Sequence, residues 1–175
     1  MARQYRKSQN NRFHASRHAA EEFGGGKKGL ILCKKCTSAY FKKSWHHNLE
    51  GLKNYEKDAP IHFTICPACK MVENHQYEGR ITIKNVSDKF ADELDGLIRN
   101  FCHRAFERDP LDRLIGIKKL GNMWEATTTE NQLAGKLAKK IKEVFPKVKA
   151  IIRFSKEPSD VVEIAIDFFE DSSII

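Results

Sequence analysis

Two Cys-x-x-Cys pairs lie in a part of the sequence that offers little else from which to build a core. The first is Cys33-Lys-Lys-Cys36 and the second is Cys66-Pro-Ala-Cys69, with 29 residues between them. Each pair holds two sulfurs about one tetrahedral edge apart, so two pairs complete the shell of a four-coordinate Zn²⁺ ion. Such an ion contributes about 10–16 kcal/mol of apparent binding free energy to folding. We therefore predict a zinc ribbon in residues 30–80, with Zn²⁺ as cofactor and these four cysteines as its ligands.

The second pair alone would also suit a redox dithiol of the thioredoxin kind. We disfavour this alternative because we expect that the pair does not open a helix after a parallel strand, and because the first pair would remain unexplained. A disulfide framework is disfavoured because the N-terminal segment lacks the apolar core of a secretory signal. In a further alternative a nearby histidine replaces one thiolate, although we expect the histidines to lie outside the metal shell. They are His46, His47, His62 and His75.

The rest of the chain, residues 81–170, has the regular hydrophobic patterning of an α+β domain. The segment RITIKNV alternates between apolar and polar residues as a strand does. A helix is predicted after it, because apolar residues recur at helical spacing, with Ser87 or Asp88 as the cap and Pro110 just beyond the end. Cys102 lies beside this apolar stripe, and we expect it to be buried as a small apolar residue.

Two strands, a second helix and a hairpin are predicted to follow. The strands flank Gly121-Asn122, a turn dipeptide. The second helix has Thr129 and Gln132 at capping-box spacing, and the hairpin comprises VKAIIRFSK and DVVEIAIDFF. This order predicts the fold class α+β, in which a small four-cysteine zinc ribbon precedes a ferredoxin-like antiparallel sheet with two helices on one face.

Charge is distributed unevenly along the chain. Residues 1–80 contain 15 Lys and Arg against 7 Asp and Glu, whereas residues 81–175 contain 16 of each. Residues 1–29 are basic and polar and end in a glycine run, so we predict a disordered, flexible tail there. Positive charge confined to one part of a chain favours a polyanion partner, most often nucleic acid, over a tail that only increases solubility.

Candidate nucleic-acid contacts are the basic and aromatic side chains of this first part. Lysine and arginine neutralise phosphates, and aromatic rings stack on bases. A rigid zinc site surrounded by lysines suits phosphate contacts, although the lysines could also serve only to offset the negative charge of four thiolates around Zn²⁺. The predicted RNA-binding residues are Arg3, Arg6, Lys7, Arg12, Arg17, Lys34, Lys35, Tyr40, Phe41, Lys42, Lys43 and Trp45.

Sequence patterns of catalytic sites are absent. The chain has no Gly-rich phosphate loop after a strand, no Gly-x-Ser-x-Gly, no His-Glu-x-x-His and no paired-carboxylate motif. Four thiolates would also close the metal shell to water, so we expect a protein that is not an enzyme and has no small-molecule substrate. No apolar run is long enough to span a bilayer, which predicts no membrane partner and, without a secretory signal, a cytoplasmic location.

Two stretches of the chain resemble a known family. CPACKMVENHQYEGRITIKN is similar to the joint between the last zinc knuckle and the first strand in the family of the large-ribosomal-subunit export adaptor (nonsense-mediated decay protein three) of eukaryotes and archaea. TTTENQLAGKLAKKIKEVFPKVK resembles a helix of the following domain in that family. Over residues 30–170 the chain is also similar to a short bacterial zinc-ribbon family, in which CPAC, an RN helix and a DPLDRLIGI-like strand start follow one another.

The resemblance implies binding to the large ribosomal subunit, with that subunit and its ribosomal RNA as partners. The zinc ligands of the family correspond to the four cysteines of the two pairs. The chain lacks the family's second set of zinc cysteines, its further barrel domains and its export signals, so shuttling is not implied. We therefore expect a non-enzymatic zinc-ribbon, RNA-binding protein that acts on the ribosome in assembly, quality control or dormancy.

Two alternatives stay open. A DNA-binding transcriptional regulator would need a recognition helix, and the only candidate is the second predicted helix, which is the more basic one. A redox or nucleolytic enzyme would use the Cys-x-x-Cys pairs. Metal analysis separates the enzyme from the two binding proteins, and a comparison of ribosomal RNA with duplex DNA separates those two. The basic residues of the candidate helix are Lys136, Lys139, Lys140 and Lys142.

Overall fold

The computed structural model of the protein describes residues 29–49, 60–145, 147–154 and 161–169. Apart from Gly29, the predicted basic tail lies outside these residues. The strands are β1 (Leu30–Cys33), β2 (Ala39–Phe41), β3 (Ser44–His46), β4 (Ile61–Thr64), β5 (Gly79–Lys84), β6 (Leu114–Leu120), β7 (Met123–Thr128), β8 (Val148–Phe154) and β9 (Val162–Phe168). The helices are α1 (Pro67–Glu73), α2 (Asp88–Arg108) and α3 (Asn131–Val144).

We call β1–β4 with α1 the ribbon, and β5–β9 with α2 and α3 the five-stranded unit. The predicted division of the chain into residues 1–29, 30–80 and 81–170 stays a prediction. None of the helices in the described part is long and apolar enough to cross a membrane.

The ribbon sheet brings the two cysteine pairs to one end. Its strand order is β3-β2-β1-β4, in which β2 is antiparallel to both of its neighbours and β1 runs parallel to β4. Cys33 is the last residue of β1 and pairs with Thr64, the last residue of β4. Because parallel strands end at the same edge of a sheet, the two chain segments that carry the cysteines leave the sheet side by side.

The second cysteine pair opens helix α1 directly after β4, so the expectation that it would not open a helix after a parallel strand is wrong. Cys66 is the N-cap, and its sulfur accepts the backbone N–H of Cys69. Pro67 is the first helical residue, a position where the missing N–H of proline costs no hydrogen bond. The second pair therefore has the strand-to-helix position that a redox dithiol would have. The surroundings of the pair must decide between a redox dithiol and a metal site.

The five-stranded unit confirms the predicted α+β class and its two helices. Its strand order is β6-β7-β5-β9-β8, and the sheet is mixed rather than purely antiparallel because β5 and β9 pair in parallel. The cause is the final hairpin of β8 and β9. Helix α3 leads the chain back so that β8 runs in the direction of β7, and the hairpin then reverses the chain once more. As a result β9 runs beside β5 in the same direction.

Both helices pack against one face of this sheet. Burial alternates along β9, where Val162, Ile164 and Ile166 are buried while Glu163 and Ala165 are exposed. This alternation is what a strand with one covered face shows. The helical side of the core consists of Leu94, Ile98, Cys102 and Ala105 from α2 and Leu133, Ala134, Leu137, Ala138 and Ile141 from α3.

Details at the two helices agree with the sequence in part. Ser87 is the N-cap of α2, and Cys102 is buried with 2% of its surface exposed, both as predicted. The capping box at α3 is wrong, because the N-cap is Glu130 and Thr129 is buried instead. The Thr129 hydroxyl donates to the carbonyl of Leu111 (2.5 Å) and accepts the N–H of Arg113 (2.8 Å). Thr129 thus ties the loop before β6 to the start of α3.

Replacing Glu130 with glutamine is expected to stabilise the protein at pH 8. Burial, with smaller contributions from Glu78, Asp112 and Asp109, raises the pKa of Glu130 from 4.5 to about 8. A raised carboxyl pKa stabilises the folded state fully below the unfolded value of 4.5, and this stabilisation is lost as the pH rises to 8. A pKa change of one corresponds to about 1.4 kcal/mol. The free energy of unfolding of E130Q, measured in urea, should therefore decline less across this window; an equal decline in both proteins would contradict the assignment.

Candidate metal centre

The four cysteines are positioned by turns at the ends of β1 and β4. The N–H of Thr37 donates to the carbonyl of Cys33 (3.1 Å), which folds the chain back and places Cys36 beside it. The sulfur of Cys33 accepts the N–H of Lys35 (3.4 Å) from its own turn and that of Cys66 (3.3 Å) from the other. These two N–H groups hold the sulfur of Cys33 between the two turns.

The geometry of the cluster suits a tetrahedral ion. The sulfurs of Cys33, Cys36, Cys66 and Cys69 all lie within 4.8 Å of one another. Those of Cys36 and Cys66, one from each pair, are 3.7 Å apart. Four sulfurs at about 2.3 Å from a tetrahedral zinc would be separated by roughly 3.8 Å. The structure therefore brings the four predicted ligands together in one cluster that could hold a metal ion.

The cluster also bears on the alternatives. All five cysteines of the chain are free thiols, so no disulfide joins them. A redox dithiol explains one pair only, whereas a metal uses all four sulfurs. Among the described residues the potential metal-ligating group contains cysteines alone. His47 instead makes a short contact through Nε2 with the carbonyl of Phe106, and the two rings meet edge to face at 4.7 Å between centroids.

The thiols differ in how readily they ionise. For Cys36, burial raises the pKa, but hydrogen bonds from Ser38 and from Arg113 outweigh it and lower the pKa to about 6. Burial raises the pKa of Cys66 and of Cys69, and neighbouring thiolates add to this. The second pair therefore keeps its protons unless a cation compensates the charge. A divalent ion provides that compensation and releases the protons on binding.

The predicted basic contacts differ in their surroundings. Lys34, Lys42 and Lys43 are exposed, and none of them forms an ion pair within the described part of the chain. Lys35 places Nζ 2.7 Å from a carboxylate oxygen of Glu73, which raises its pKa. This exposed pair costs little to break, so Lys35 remains accessible to a stronger anion. The predicted contacts of the tail lie outside the described residues: Arg3, Arg6, Lys7, Arg12 and Arg17.

Among the predicted aromatic contacts, Trp45 lies in the core of the ribbon and is not presented for stacking in this structure. Only 7% of its surface is exposed, and its ring packs against that of Tyr40 at 5.4 Å between centroids. The ribbon core is small, so its largest apolar side chain is needed inside. Phe41 and Tyr40 are half-buried. Phe63 was not among the predicted contacts, although it is 62% exposed on the edge strand β4. The apolar–polar alternation of IHFT was the sequence signal for that strand.

Arg113 is a second residue that the sequence analysis missed. It lies just before β6 in the five-stranded unit, yet its Nη1 donates to the sulfur of Cys69 at 3.5 Å. An arginine far along the chain carries no local pattern that would connect it to a metal site. A guanidinium beside a thiolate cluster offsets part of its negative charge.

Comparison with known proteins gives no relative: the sequence matches no known protein family and no curated protein. The relationship to the export-adaptor family stays a prediction.

Proposed function

We propose that this protein is a non-enzymatic zinc-ribbon protein that binds RNA of the large ribosomal subunit and acts in ribosome assembly, quality control or dormancy. The cysteine cluster supports the choice of metal, because a group of four cysteine sulfurs suits Zn²⁺. A bound zinc would hold the two turns rigid. The uneven distribution of charge and the resemblance described above support the choice of partner.

One observation carries the RNA assignment: the turn between β2 and β3 presents two adjacent lysines in a conformation that lysine disfavours. Lys42 and Lys43 have φ angles of 49° and 67°, and both are exposed. A two-residue hairpin turn with both φ angles positive is normally built from Asn and Gly. Left-handed backbone costs other residues about 1–2 kcal/mol each. Strain of this kind concentrates at functional sites, and a lysine-tipped hairpin on a rigid base suits a phosphate backbone.

The expected action of the protein follows from these parts. The basic tail neutralises phosphates and orders on the RNA. The hairpin tip, with Lys34 beside the metal centre, docks on folded RNA. The ring of Phe41 lies under the ammonium group of Lys42, 5.3 Å from Nζ to the ring centroid. Phe63 is exposed on the edge strand β4. Both rings are candidates for stacking on unpaired bases.

Replacing Lys42 with Asn and Lys43 with Gly together should stabilise the ribbon and weaken RNA binding. The new pair fits the turn, so we expect the free energy of unfolding to rise by about 1–2 kcal/mol. Loss of two phosphate contacts should reduce the salt dependence of binding to large-subunit RNA by roughly 1.4–1.8 units of log K per log salt. The measurements are urea unfolding and equilibrium binding at several salt concentrations.

The matched control replaces two exposed lysines of α3, Lys139 and Lys142, with glutamine. It removes the same charge as the hairpin variant, but from a helix that is not a proposed RNA contact. Binding to RNA should therefore change much less than in the hairpin variant. If the α3 variant instead loses affinity and duplex DNA binds better than RNA, the DNA-binding alternative is correct. If the hairpin variant binds RNA like the wild type, the turn is not the contact.

A further inference from the structure

Arg113 reaches the metal centre from the five-stranded unit. Besides the bond from Nη1 to Cys69, its Nη2 is buried and has no hydrogen-bond partner within the described residues. The guanidinium group is a planar fork, which directs its two outer nitrogens to neighbouring acceptors. Arg113 also interacts electrostatically with the thiols of Cys36 and Cys66. The guanidinium group therefore lies beside the cysteine cluster and is bonded to a sulfur of its second pair.

This arginine is held firmly by its own unit. Its Nε donates to the carbonyl of Pro110 (2.8 Å), and its guanidinium carbon lies 5.0 Å from the centroid of the Phe106 ring. Its backbone N–H donates to the hydroxyl of Thr129, and its carbonyl accepts the N–H of Thr129 (3.0 Å). The position of the fork thus depends on the loop before β6 and on the start of α3, not on the ribbon.

Two further contacts surround the arginine. Leu111 packs against the buried cluster of the ribbon, which includes the cysteines. Phe106, which lies against the guanidinium group, also receives His47 from the ribbon. Arg113 is therefore the charged centre of a contact between the two units, and the metal site lies at its edge.

We propose that Arg113 stabilises the metal-bound thiolates from the five-stranded unit and thereby couples metal binding to the packing of the two units. A bound metal would hold the four sulfurs together and keep the Cys69 sulfur in place as the acceptor of Nη1. Without metal, only the hydrogen bonds of the two turns hold the sulfurs, and the half-buried guanidinium group is left with a less firmly placed acceptor, which is unfavourable. The loop before β6 should then loosen. This inference rests on the proposed zinc but not on the RNA.

The test measures zinc affinity and amide exchange in the full-length protein. Arg113→Ala should give up Zn²⁺ to a competing chelator 10–100-fold more readily than the wild type, the usual cost of losing a residue that supports metal ligands. Arg108→Ala, which removes an exposed arginine bonded only to the carbonyl of Arg104 within the described residues, should retain wild-type affinity. In the wild type, removing zinc should accelerate hydrogen exchange at the N–H of Thr129 at least tenfold, because its acceptor is the carbonyl of Arg113.

Two outcomes would overturn the proposal. One is a zinc affinity of Arg113→Ala within twofold of the wild type. The other is a hydrogen-exchange rate at the Thr129 N–H that does not change when zinc is removed. The exchange measurement needs no variant, so it remains decisive if Arg113→Ala does not fold. Elemental analysis of the wild type is done first. Absence of zinc there would refute the metal assignment in the proposed function, whereas bound zinc without coupling would refute the role of Arg113 alone.

Discussion

Replacing Cys66 with serine is expected to abolish metal binding and to unfold the ribbon. Cys66 is fully buried, caps α1 and provides a sulfur that lies 3.7 Å from that of Cys36 in the other pair. Little apolar surface remains to hold the ribbon without metal, since its buried cluster is built around the cysteines with Ile31, Trp45 and Ala68. A structural zinc contributes about 10–16 kcal/mol to folding, which exceeds what so small a core supplies. Wild-type protein should contain about one zinc per chain and the variant none.

The same variant should leave a cooperative thermal transition from the five-stranded unit, which has a separate core. NMR signals of the ribbon should collapse to the unfolded range, and those of the loop around Arg113 should broaden. Cys102→Ala is the matched control, because it removes a buried thiol outside the cluster. It should keep its zinc and lose about 1 kcal/mol of stability in the five-stranded unit. A Cys66→Ser protein with full zinc content and an unchanged ribbon spectrum would refute the metal site.

Deleting residues 1–20 is expected to produce the largest change in RNA binding. The segment contains five basic residues and no acidic one. Each phosphate contact contributes about 0.7–0.9 to the slope of log K against log salt, so the deletion should flatten that slope by roughly 3–5 units. Between 50 and 200 mM salt the wild type should then lose about 10²–10³-fold more affinity than the shortened protein. Equilibrium binding to large-subunit RNA measures both quantities.

A full-length variant with glutamine at Arg3, Arg6, Lys7, Arg12 and Arg17 separates charge from length. It should behave like the deletion, because the predicted contribution is electrostatic. If affinity and salt slope are unchanged in both variants, the tail serves only solubility, and the proposed RNA function loses the support of the uneven charge distribution.

The cysteine cluster could be predicted from the sequence because each Cys-x-x-Cys pair is a local pattern. Two residues between cysteines fix the separation of their sulfurs, and four such sulfurs form a cluster here. The helices could be predicted for a similar reason, since residues such as Leu94 and Ile98 repeat at helical spacing and line the core. Within each cysteine pair and within each helix, the signal is carried by residues only a few positions apart in the sequence.

The remaining features depend on contacts between distant segments, which no local pattern encodes. Trp45 looks like a stacking residue among lysines, but the ribbon needs it inside. Thr129 matches a capping box, but the loop at Arg113 takes its hydroxyl. The parallel pairing of β5 and β9 depends on how many times the chain reverses direction between these two strands. Hydrophobic periodicity identifies strands but does not show which strands pair or in which direction. The strands β1 to β4 and the helix α1 were not predicted, because each is only three to seven residues long and too short to give a clear periodic signal.

The position of β9 inside its sheet has a consequence for how the chain folds during synthesis. β9 is the last strand of the five-stranded unit in the chain, yet it lies between β5 and β8. Until β9 has left the ribosome, β5 lacks one neighbour and β8 lacks its only partner in the sheet. The strands of the ribbon and all four cysteines of its cluster lie before the end of α1. We therefore expect a nascent chain in which a metal-closed ribbon precedes an unfolded unit, and slow completion of that unit by contacts between residues far apart in sequence.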